Sequence, residues 1–165
     1  MNYKTYYYIG GFMLEIIGFI FTSVLGTIGH FLYDWTNLKI FKFLFAKDES
    51  LYSHLKLGIT PMLLFMFVEK KYFLNNSIIF IKGYSIMLFI IIISLVYLLG
   101  IIIKKEISSL NISSFYIATF LSYLSSYLLF NKIFFPNYIK YIGYILFGLI
   151  ILSYFTINFK SSKDD

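Results

Sequence analysis

Long apolar runs separated by brief polar connections organise this chain. A bilayer crossing needs roughly 20 apolar residues. Five runs approach that length: Ile9 to Leu32, Leu51 to Val68, Ile79 to Ile103, Leu110 to Phe130 and Tyr138 to Ile157. Membrane strands alternate apolar and polar residues, whereas these runs are uniformly apolar, so they predict helices. The third, containing "SIMLFIIIISLVYLLGIII", is the clearest. The second is the weakest, because His54 and Lys56 fall in its first turns and Pro61 in its middle. Proline at that position frees the carbonyl of Leu57 and favours a kink. The expected fold is all-α, a single membrane domain over 1–165 with about five transmembrane helices. A polar tail is expected over about 158–165.

The connections add detail. "VEKKYFLNN" and "KKEISSLN" read as charged turns with Ser or Asn to cap the next helix, and "FNKIFFPN" ends the fourth helix before Pro136 restarts the chain. The first connection differs. In "LKIFKFLFAK", Lys39 and Lys42 share a face, with Ile40, Phe41, Leu44 and Phe45 elsewhere, the pattern of a short helix lying in the membrane interface. No internal repeat supports an inverted-repeat transporter architecture. No small-residue cleavage site follows the first run, which is expected to remain in the protein. Five spans put the termini on opposite sides. Eight of the fourteen lysines fall on the side of the first connection and the C-terminus. The positive-inside rule therefore places that side in the cytoplasm of a cell-membrane protein.

Composition narrows the partners. Hydrophobic residues make up 59% of the chain and charged residues 13%, whereas soluble domains carry about a quarter charged residues to solvate their surface. The expected partner is the lipid bilayer. A net charge of +6 does not imply nucleic acid, because the lysines sit at segment ends and form no basic stripe. They suit interfacial anchors whose stems lie in lipid and whose ammonium groups reach water. Without cysteine there is neither a disulfide nor a thiolate metal site. All the basic residues are lysine, and alanine occurs only at Ala46 and Ala118. That bias fits an AT-rich coding sequence and accounts for part of the Tyr and Phe excess.

Polar residues inside the spans are the informative ones. Glu15, Thr22, Gly26 and Tyr33 share a helical stripe in the first span. Small residues there suit helix packing, but a carboxylate facing lipid costs several kcal/mol unless paired or protonated. Lys82 lies at similar depth in the third span, and a Glu15–Lys82 pair is the simplest explanation, with a structural role. Ser114, Ala118, Ser122 and Ser126 form a small-residue ridge in the fourth span. Its expected use is packing, since no nucleophile elbow accompanies the serines.

Both histidines of the chain lie near the first connection. His30 and Asp34 are four residues apart on one helical face, as are Glu49 and Ser53, with His54 a quarter-turn farther round. Two imidazoles with two carboxylates suit Zn²⁺ or another divalent ion, so His30, Asp34, Glu49 and His54 are candidate metal ligands. The same four are candidate catalytic groups, with a carboxylate fixing the tautomer of a histidine base. Helix-end roles compete with this reading. His30 complements a helix C-terminus, and Asp48, Glu49 and Ser50 suit a helix N-terminus. Tyr33 and Trp35 stand where interfacial aromatics belong.

"LGTIGHFLYDW" followed by "DESLYSHLKLGITPMLLF" resembles a family of small multi-pass membrane proteins of low-GC Gram-positive bacteria. The matching residues are Gly26, His30, Tyr33, Asp34, Trp35, Glu49, Ser50, His54 and Lys56, with Asp48 where Asn is usual. The resemblance covers roughly the first 70 residues and implies a shared purpose for this segment without naming one. Three classes of function fit the residues. The first is a metal-assisted hydrolase acting on a lipid or lipid-linked substrate, with Lys56 holding an anionic headgroup. The second is a small transporter, or a subunit of one, using the same groups for proton or ion coupling. In the third, an accessory membrane protein, the cluster only locks two helices.

Overall fold

A computed structural model describes the backbone of residues 3–45, 50–72, 78–103, 108–132, 136 and 138–161, with side chains within 10–45, 50–70, 78–103, 112–130, 136 and 138–156. Six helices follow in order: α1 (Tyr3–Thr36), α2 (Lys39–Leu44), α3 (Leu51–Tyr72), α4 (Ile78–Ile103), α5 (Ser108–Lys132) and α6 (Ile139–Ser161). No strand occurs among the described residues. All but the short α2 are long and apolar enough to cross a membrane. The architecture is thus an all-α, multi-pass bundle. Its boundaries run past the apolar runs. α1 continues from Leu32 to Thr36, α3 from Val68 to Tyr72, and α6 into the expected polar tail.

Local chemistry sets the ends around α2. Asn37 has φ 54°, the left-handed conformation that short polar side chains tolerate best after glycine. Its N–H donates to the carbonyl of Tyr33 at 2.8 Å and closes α1. Ser50 caps α3, accepting from the N–H of Ser53 at 3.3 Å.

Packing explains why the least apolar span survives. α3 is the central helix: 61% of its span is buried, against 17% for α4 and 17% for α6. Its polar positions therefore meet protein rather than lipid. α1 packs on α3 and α5, while α4 packs on α3, α5 and α6. Lipid tails are as apolar as leucine, so close backbone fit must hold such helices together. Pro61 is buried inside α3 and leaves the Leu57 carbonyl without its helical donor. That carbonyl faces Gly26 of α1, where an added Cβ would come within 2.7 Å of it and 2.6 Å of the Phe115 ring. The glycine makes room for the proline's orphaned carbonyl, and that accommodation couples α1 to α3.

Candidate functional site

Polar groups collect at both ends of the bundle. The α2 end comprises the C-terminus of α1, the N-terminus of α3, and α2 between them. His30 and His54 meet there, their ring centroids 6.2 Å apart. Nδ1 of His54 lies 3.0 Å from the Ser50 carbonyl. A carbonyl only accepts, so Nδ1 carries the proton and Nε2 keeps the lone pair in the neutral ring. His54 also borders a small cleft with Leu51, Ile93, Val96, Tyr97 and Ser114. Asp34 is exposed one turn beyond His30, and Glu49 lies outside the described residues. Among the described residues no three His, Asp or Glu side chains gather as a metal site would require.

Lys56 is fully buried, and its Nζ donates to the carbonyl of Lys42 at 3.0 Å. One turn along the same face of α3, Thr60 Oγ1 donates to the carbonyl of Leu44 at 2.5 Å. The Tyr154 hydroxyl, from α6, lies 3.1 Å from the carbonyl of Phe43. The last carbonyls of a helix have no partner within it. Here α3 and α6 supply partners to three consecutive carbonyls of α2. Six residues would not hold as a helix alone, so these buried side chains anchor α2 at this end.

The opposite end holds the densest electrostatics. Lys82 of α4 donates to both carboxylate oxygens of Glu15 of α1, at 2.7 and 2.6 Å. A second carboxylate, Glu69 of α3, approaches the same ammonium at 2.5 Å. The Ser126 hydroxyl of α5 donates to Glu15 at 2.7 Å. The Tyr123 ring lies 5.0 Å from the Lys82 nitrogen, and its hydroxyl hydrogen-bonds Thr22 at 2.8 Å. All three charged residues are at most 3% exposed. Glu69, Lys82 and Ser126 sit about 5–9 Å inside the ends of α3, α4 and α5, and Glu15 about 18 Å from the start of the longer α1, at a rise of about 1.5 Å per residue. Two carboxylates oppose one ammonium, so one negative charge is unmatched among the described residues. Such a site can hold one proton or one small cation.

Glu69 falls in a turn when the second span is ended at Val68. Extending the helical face decides otherwise: Met62, Phe65 and Met66 precede Glu69 by seven, four and three residues, and all four are buried. The serine ridge also does more than pack. Ser114, Ser122 and Ser126 are buried, and Ser126 binds Glu15. Comparison with known proteins matches this chain to no family model, no curated protein and no solved structure.

Proposed function

We propose that this protein is a small proton-coupled membrane transporter or a subunit of one, with Glu15 and Glu69 exchanging one proton beside Lys82. One observation carries the reading: two buried carboxylates from different helices share one ammonium. Ionisable residues at membrane depth are costly and mark proton and ion pathways. A purely structural pair would need one carboxylate, and the second leaves a charge that a proton balances. Buried hydroxyls of Thr22, Ser23, Ser122, Thr119 and Ser114 lie along α1 and α5 towards His30 and His54, and they support passage between the two ends.

Proteoliposomes carrying an imposed pH gradient test this. The wild-type protein should dissipate the gradient faster than empty vesicles, and Glu69→Gln should abolish the excess while still inserting and folding. Equal rates for wild type and Glu69→Gln would overturn the reading.

The 6.2 Å approach of the two imidazoles favours a second reading, a divalent ion such as Zn²⁺ between His30 and His54 serving hydrolysis of a lipid-linked substrate. Metal–nitrogen bonds of roughly 2 Å suit that separation. Asp34 and Glu49 are the further candidate ligands. Protein purified without chelator should then carry metal that His54→Ala loses; metal-free protein would exclude this second reading.

A further inference from the structure

We infer that the Lys82 ammonium is the tethered occupant of a site for a free monovalent cation, which enters when the lysine withdraws. The inference rests on the proposed exchange site and names a ligand class for it. Three carboxylate oxygens surround the nitrogen at 2.5–2.7 Å, two from Glu15 and one from Glu69. The rings of Tyr123 and Phe130 lie 5.0 and 5.9 Å away, within cation–π range. Ser126 orients Glu15 from a fourth helix segment. The ammonium thus occupies an oxygen cage walled by aromatic rings, the arrangement that receives a small cation.

The second oxygen of Glu69, Oε2, is buried and makes no hydrogen bond among the described residues. It leaves acceptor capacity that the lysine does not use. A lysine holding a closed structural pair would need neither the second carboxylate nor that spare oxygen. Position also permits exchange. Lys82 is on the second turn of α4, about 6 Å from the helix start at about 1.5 Å per residue. A lysine stem reaches the membrane surface from that depth. With Lys82 still nearby, the two carboxylates and the ammonium sum to one negative charge, which selects a monovalent over a divalent ion.

Lys82→Ala should empty the cage while keeping both carboxylates. Unfolding temperature is followed in detergent at constant ionic strength, with choline chloride as the baseline and Na⁺, K⁺ or methylammonium exchanged in. Na⁺, K⁺ or methylammonium should raise it saturably, by about 5 °C near a hundredfold excess over Kd, and adding Glu69→Gln should remove the rise. No ion-specific rise, or one indifferent to Glu69→Gln, would overturn the inference. Wild-type protein gives a second readout should Lys82→Ala not fold. In weak buffer, Na⁺, K⁺ or methylammonium should release protons from wild type and not from Glu69→Gln, and no release with any of the three, or equal release from both proteins, overturns the inference. Proton flux sensitive to Glu69→Gln without any ion effect would sink this inference alone. Ion binding without such flux would sink the transport reading instead.

Discussion

The two ends of the bundle use buried lysines in opposite ways. At the α2 end, Lys56 donates to a backbone carbonyl and helps hold a six-residue helix against α3. At the far end, Lys82 is ringed by carboxylates from two other helices. One lysine completes a hydrogen-bonding deficit that secondary structure creates. The other stands in a charge imbalance that helix geometry does not require. Burial of a charge therefore does not identify a functional site. The discriminating feature is whether its partners over-supply it.

That contrast can be broken by substitution, and the largest effect belongs to Lys82. Lys82→Met leaves two carboxylates buried together and should destabilise the bundle by about 3–5 kcal/mol, the usual cost of stranding one side of a buried pair. Unfolding in detergent would measure it, and a loss below about 1 kcal/mol would mean the cluster is solvated.

A smaller effect is expected from Thr60→Val, which removes one partner of α2's final carbonyls. The cost should be about 1 kcal/mol, felt in faster amide exchange over 39–45 while the rest of the bundle is unchanged. Global loosening would show that α2 is not held locally.

The bundle itself was largely legible from the sequence, because five apolar runs of membrane length leave few alternatives to helices. The Gly26–Leu57 approach was half legible: Pro61 announces a freed carbonyl, but nothing in the chain says which helix faces it. Glu15 and Lys82 stand out as charges within apolar runs, and the structure sets them 2.6 Å apart. Glu69 was hidden because hydropathy ends a span at the first charge, while the helix and its buried face continue one turn farther. Hydropathy measures what lipid tolerates, and α3 mostly meets protein. The histidine end reads the other way. His30 and His54 are conspicuous in sequence and adjacent in the fold, while Asp34 is exposed one turn beyond His30.

The central claim is that Glu15 and Glu69 share one exchangeable proton beside Lys82. Infrared spectroscopy of the purified protein at neutral pH tests it most directly, through the carbonyl stretch of a protonated carboxyl group. Wild type should show one such band, shielded from bulk solvent, that is absent or displaced in Glu69→Gln and in Glu15→Gln. A wild-type spectrum without a protonated carboxyl, or one unchanged by both substitutions, would contradict the account.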